Sequence, residues 1–133
     1  MNYVDANIII HNLIGDKRVG KAAKEYLKSI SRGEIDACTS VHTIAEVYAF
    51  LKGTGKSEQE IGKILSKILS FGIRLLPLKP SVIIGIPESM EKGWKYGDTI
   101  HYLTMKEEGI LKIVSDDKFF DKLDVVRIDV TKL

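Results

Sequence analysis

The chain has 133 residues, 44% hydrophobic and 29% charged, with a formal net charge of +2, which suits a single globular domain over residues 1–133 with enough apolar material for a core and no need of a disulfide or structural metal. Its one cysteine, Cys38, excludes an intrachain disulfide and fits a reducing, cytoplasmic setting. The opening Met-Asn-Tyr-Val-Asp lacks the basic region and apolar run of a signal peptide, and no apolar run approaches the ~18 residues of a membrane helix, so no membrane partner is expected.

Tyr3 and Val4, with Ile8-Ile9-Ile10 just beyond Asn7, suit a short buried strand that ends near Asp5. Lys17 to Arg32 sets Val19, Ala22, Ala23, Tyr26, Leu27 and Ile30 on one face, the 3.6-residue period of a helix, with Gly33 as its stop. Ile35 to Thr39 reads as a strand. Ser40 then caps a helix that turns Ile44, Val47, Tyr48 and Leu51 inward and ends at Gly53. Ser57 and Glu60 make a capping box. The helix behind it is expected to bury Ile61, Ile64, Leu65, Ile68 and Leu69 before Gly72. Ile73 to Leu76 is a strand. Pro80 suits a first helical turn, and Gly85 with Pro87 should split that helical segment into two short helices. Asp98 to Glu108 is a helix closed by Gly109, Ile110 to Val114 a strand, Phe119 to Leu123 a helical turn, and Val125 to Ile128 a last strand.

Alternating strands and helices imply a parallel sheet with helices on both faces. Ligands of such sheets sit beyond the carboxyl ends of the strands. Asp5 and Asp117 fall near strand ends, Asp98 opens a helix, and Glu46 lies on a helix soon after a strand. The topology can therefore bring all four acids to one rim.

Four segments carry a family resemblance. They are Tyr-Val-Asp-Ala-Asn-Ile-Ile-Ile at 3 to 10, Thr-Ile-Ala-Glu-Val at 43 to 47, Gly-Asp-Thr-Ile-His-Tyr at 97 to 102, and Ile-Val-Ser-Asp-Asp-Lys-Phe-Phe at 113 to 120. In this order and spacing the chain resembles the PIN-domain family along its whole length, and is most similar to the toxin ribonucleases of VapBC toxin–antitoxin modules. The resemblance implies a three-layer α/β domain with a parallel sheet of four to five strands. It also implies an endoribonuclease dependent on Mg²⁺ or Mn²⁺, a homodimer, and a small antitoxin protein as partner. Its site residues would be Asp5, Glu46, Asp98 and Asp117. Ser115 stands at the family's Thr position, and that register makes Asp117, not Asp116, the fourth acid.

The residue types suit the chemistry, because hard divalent cations want carboxylate oxygens and a cation on a phosphate can activate water and stabilise the leaving oxygen. Asp5 and Asp98 are expected as direct ligands, Asp117 as a direct or water-mediated one, and Glu46 as a ligand or the residue that orients water. Asn7 is expected to hold Asp5 or a water. His101, one helical turn past Asp98, is read as a structural histidine, and Trp94 as packing. Lys17, Arg18, Lys21, Lys24 and Lys28 read as a solvated helix face, with phosphate contacts as the alternative, while Lys52, Lys56, Lys95 and Lys118 are placed nearer the acidic rim for RNA contacts. Two other classes compete with a nuclease. A catalytically weak PIN module that binds RNA or protein has no need to crowd carboxylates. A phosphatase of the haloacid-dehalogenase type wants Asp-x-Asp on its first strand, where this chain has Asn7, and a receiver domain wants an early acidic pair that is absent here.

Overall fold

The computed structural model describes residues 1–133. Five short strands, β1 (Asn2–Val4), β2 (Ala37–Ser40), β3 (Arg74–Leu76), β4 (Lys112–Val114) and β5 (Val126–Ile128), form one parallel sheet in the order β3-β2-β1-β4-β5. Six α-helices connect them: α1 (Ala6–Ile14), α2 (Gly20–Ser31), α3 (Val41–Gly53), α4 (Glu58–Leu69), α5 (Pro80–Glu91) and α6 (Tyr96–Glu108). Short 3₁₀ turns at Lys118–Lys122 and Val130–Lys132 complete the chain.

The strands are buried on both faces, and the two-residue side-chain period divides them. Tyr3 pairs with Cys38 and Ile113, and these pack with Leu76, Met105, Phe120 and Val125 on the α6 side. Val4 pairs with Val114, and this face meets Ile8, Val19, Ala23, Tyr26, Leu27 and Ile30 of α1 and α2. Fully burying each large apolar side chain contributes about 1.5–3 kcal/mol. The result is three layers, helix–sheet–helix, with a further apolar cluster where Ile9 meets Val47 and Leu51 of α3 and Ile61 and Ile68 of α4.

Strand order reverses at β1: the chain steps outward through β2 to β3, then returns to lay β4 on β1's other side. The crevice beyond the carboxyl ends of β1 and β4 is therefore the switch point where such sheets place their ligands. Asp5 follows β1 directly and Ser115-Asp116-Asp117 follow β4. Helix α6 leads into β4 from the opposite direction, so its amino end lies at that same rim.

Local sequence explains most boundaries. Ser40 caps α3 by accepting the His42 amide, and Ser57 and Glu60 form the reciprocal capping box of α4. Several expectations need correction. Ile8 to Ile10 belong to α1, a helix absent from the sequence reading, because a run of three isoleucines carries no helical period of its own. Helix α2 begins at Gly20 rather than Lys17. Asp16 first folds back to accept the Val19 amide, and Gly20 lies so close to Gly15 that an added Cβ would stand 2.7 Å from its carbonyl carbon. Leu69 is exposed instead of buried, because α4 ends there. Helix α5 runs unbroken through Pro87. Proline removes one bond, to the carbonyl of Ile83, but Ile83 and Ile84 face outward, so water can take the freed group. Asp98 is the third residue of α6 rather than its opening residue, since Lys95 occupies the cap position.

Candidate active site

Asp5 occupies the cap position of α1 in extended conformation, yet its carboxylate makes no capping bond. Its amide instead continues the sheet ladder to the Val114 carbonyl at 3.0 Å, which turns the side chain into the crevice. The carboxylate is 5% exposed. Ser115, buried at the end of β4, donates its hydroxyl to Asp5 Oδ2 at 2.7 Å. Burial raises the Asp5 pKa, and the Glu46 charge adds to it, while His101 and Ser115 oppose the shift.

Ser115 also organises the fourth-acid loop. Its Oγ accepts from the Asp117 amide at 3.0 Å and from Asn7 Nδ2 at 3.3 Å, while Asn7 Oδ1 accepts the Asp116 amide at 3.3 Å. The Asn7 side chain thus acts on Asp5 through Ser115, not on the carboxylate itself. The two adjacent acids part company here. Asp116 is held by both guanidinium nitrogens of Arg18 and lies 3.2 Å from His11 Nε2, and the Arg18 pair holds its pKa below the ordinary carboxylate value. Asp117 has no cationic partner; its Oδ1 caps the following 3₁₀ turn by accepting the Phe119 amide at 2.9 Å.

Asp98 is half-buried in the first turn of α6. Its pKa is pushed up to about 6, first by burial and then by the charges of Asp117 and Asp5, against the opposing pull of His101 and Lys95. Glu46, on α3, reaches the same rim. Its Oε1 lies 2.6 Å from His101 Nε2 without the alignment of a hydrogen bond, so the two buried atoms are partnered by proximity alone.

His101 is 1% exposed and stands between Glu46 and Asp5, with Asp5 Oδ1 3.6 Å from the same nitrogen. Its Nδ1 shares a 2.6 Å hydrogen bond with the Tyr3 hydroxyl, which in turn accepts the Ser40 amide at 3.1 Å. Burial works to lower the His101 pKa, but the Glu46 contact and the charges of Asp5, Glu46 and Asp98 outweigh it and raise the value. His101, read as a structural histidine, is buried on the Tyr3 hydroxyl and lies between two of the acids. Its Asp-x-x-His spacing was the available signal. Tyr3 carried no comparable signal, because its partners come from other elements.

The structure therefore brings Asp5, Glu46, Asp98 and Asp117 to one rim. They do not form a closed cage: no group of three His, Cys, Asp or Glu side chains is gathered closely enough to hold a metal as it stands. Three of the acids have partners of their own: Asp5 on Ser115, Glu46 against His101, Asp117 on an amide. The all-oxygen donor set nevertheless fits a hard divalent cation, as do the burial and neighbouring acid charges that raise the Asp98 pKa. Among the cations expected at the rim, Lys95 caps α6 beside Asp98 and Lys118 follows Asp117. Lys52 is bound to Glu58 at 2.7 Å near the far end of α3, about 9 Å of helix beyond Glu46. Trp94 packs edge-on to Tyr102 and Phe119.

Among solved structures, the fold is similar to VapC20 of Mycobacterium tuberculosis, described as a sarcin-ricin loop cleaving toxin. The TM-score is 0.75 at 17% identity, covering 96% of this chain and 98% of that one. FitAcB from Neisseria gonorrhoeae matches with a TM-score of 0.68 at 20% identity over 100% of both chains. A toxin–antitoxin complex from Klebsiella pneumoniae gives 0.66 at 15% identity, covering 98% of each chain. No curated protein sequence matches the chain. The family model for the PIN domain matches residues 3–126, nearly the whole length, and by that match the chain belongs to the PIN domain family.

Proposed function

We propose that this protein is a divalent-metal-dependent endoribonuclease, the toxin of a cytoplasmic toxin–antitoxin pair, acting as a homodimer restrained by a small antitoxin. The observation that carries the nuclease reading is the coupling among the acids. Asp98 is raised first by burial and then by Asp117 and Asp5, and Asp5 first by burial and then, against the opposing pull of His101 and Ser115, by Glu46, so the charges of all four acids act on one another at this rim. The toxin reading is supported by the fold's likeness to VapC20 and to the toxin–antitoxin complex from Klebsiella pneumoniae. No helix is long and apolar enough to cross a membrane.

Asp5 and Asp98 would hold Mg²⁺ or Mn²⁺, with Asp117 joining directly or through water. The bound cation would supply Lewis acidity at a phosphodiester and a more acidic water. The remaining work belongs to the chain itself. Ser115 ties up Asp5 Oδ2, while Oδ1 lies 3.6 Å from His101 Nε2. Asn7 and Ser115 fix the loop that presents Asp117. Glu46 orients the attacking water. Lys95 sets a positive charge beside Asp98, where a substrate phosphate would lie.

One observation favours a second reading, a PIN module that binds RNA or protein with weak catalysis: the acids stand open rather than as a formed cage. Metal titration separates the two. On the nuclease reading, single-stranded or loop RNA is cut with Mn²⁺ or Mg²⁺, cutting stops in excess EDTA, and Asp5→Ala and Asp98→Ala each abolish it in chains that stay folded by circular dichroism. Asp117→Asn should weaken cleavage more than Asp116→Asn, since Arg18 already occupies Asp116. Undiminished cutting in EDTA would refute the metal mechanism, and the reverse order of the two Asn variants would move the fourth acid by one residue.

A further inference from the structure

Glu46 is flanked by two residues of one helix, Gly97 and His101, a turn apart on α6. His101 Nε2 lies 2.6 Å from Oε1, and this imidazole cannot give way, being 1% exposed and tied through Tyr3 to the Ser40 amide. On the other side, a Cβ built on Gly97 would stand 3.0 Å from Glu46 Oε2 and 3.6 Å from Cδ, and the nearest atoms around that point all belong to Glu46. No backbone reason calls for glycine, because Gly97 is in the first turn of α6 and does not have positive φ. Alanine would favour the helix. The missing side chain is thus accounted for by the carboxylate it admits.

We propose that Gly97 and His101 are positioning residues that clamp the Glu46 carboxylate between them, Gly97 by having no side chain, so that the attacking water meets a carboxylate with a single resting place. Glu46 rises from α3 with its side chain 30% exposed, and its rotatable bonds would otherwise let it swing toward solvent. The clamp rests on the nuclease reading above for its consequence, but not for its geometry.

Gly97→Ala tests it. Since His101 holds the other oxygen, the added methyl makes the Glu46 carboxylate give by a few tenths of an ångström. The expected result is a kcat lowered by roughly 3- to 10-fold, less than the ~10²-fold that a full 1 Å misplacement can bring, with KM nearly unchanged and a melting temperature equal to or above wild type. Gly62→Ala, whose Cβ meets nothing within 4 Å, should leave activity unchanged. Glu46→Asp draws the carboxylate back by one methylene, so adding Gly97→Ala to that background should cost nothing more. A readout independent of cleavage is the ¹⁵N signal of His101 Nε2, which should move in Gly97→Ala to its position in Glu46→Ala. Full kcat in Gly97→Ala, losses that multiply in the double variant, an unmoved His101 signal, or an unfolded Gly97→Ala chain would each overturn the clamp. If the wild type cuts no RNA, the nuclease reading fails while the histidine signal still decides the clamp.

Discussion

Asp98 experiences two opposing effects that pH can separate. In the first turn of α6 its charge meets the positive end of the helix dipole, worth about 0.3–1 kcal/mol. Against this stand burial and the charges of Asp117 and Asp5, which push its pKa from 3.8 to about 6. For an acid whose folded pKa lies above its unfolded one, the folded state holds the proton more tightly. That contribution is complete below about pH 4 and is lost as pH rises through about 6. The group is only half-buried, so solvent screening reduces the effect to roughly 1 kcal/mol. In EDTA, Asp98→Asn should therefore melt above wild type at pH 8, and the gap should close as pH falls through 6 toward 4. A variant that melts lower than wild type at pH 8 and level with it at pH 4 would mean that the helix dipole outweighs the crowding. The acids themselves were legible in the sequence because strand ends and helix starts can be read from period and caps. Their keepers were not. The motif marked Ser115 only as the register of the fourth acid; its hold on a carboxylate 110 positions away in the chain, like the parts of Tyr3 and Gly97, is made across the fold, where no local pattern shows it.

Elements divide along the same line between local and tertiary causes. The capping box of α4 is a purely local device, and sequence placed it correctly. Ser57 Oγ accepts the Glu60 amide at 3.2 Å while Glu60 Oε1 accepts the Ser57 amide at 3.1 Å. Ser57→Ala should cost about 1 kcal/mol, or about 3–5 °C in melting temperature for a domain of this size. Cleavage rate at 25 °C should not change, because α4 supplies none of the four acids. A drop in kcat without a drop in melting temperature would tie α4 to the site. The elements that escaped the sequence are those decided by packing. Helix α1 buries Ile8 and Ile9 in two different clusters, so apolar residues surround it and its period is hidden. Helix α5 keeps its proline because the loosened turn is on the surface. Both cases follow from burial, which the linear pattern of residue types records only when one face alone is covered.

Across the whole molecule the small net charge conceals a separation of sign. The acids converge at the carboxyl rim, while Lys17, Arg18 and Lys21 line a groove of about 590 Å³ between α2 and the carboxyl-terminal turn. Arg18 belongs to both regions, because the guanidinium that borders the groove is bonded to Asp116, one residue from Asp117. By sequence these cations read as a solvated face that could also hold phosphates, with RNA contacts placed first at Lys52, Lys56, Lys95 and Lys118. The fold sends Lys52 to the far end of α3 and pairs it with Glu58, so α2 is the better path for a strand leaving the rim. Each phosphate neutralised on a single strand releases condensed counterions and contributes about 0.7 to the slope of log affinity against log salt. Replacing both Lys17 and Lys21 with alanine should therefore reduce that slope by about 1.4 and raise KM for a long RNA. Neither lysine touches the acids, so kcat should hold, and a substrate only a few nucleotides long should show no change in KM. The measurement is KM for long and short RNAs between about 50 and 200 mM salt, the range over which such contacts tell most. An unchanged slope would mean that the strand runs past Lys95 and Lys118 on the α6 side. Loss of kcat for both substrates would instead mean that α2 helps to hold the acids through Arg18 and Asp116.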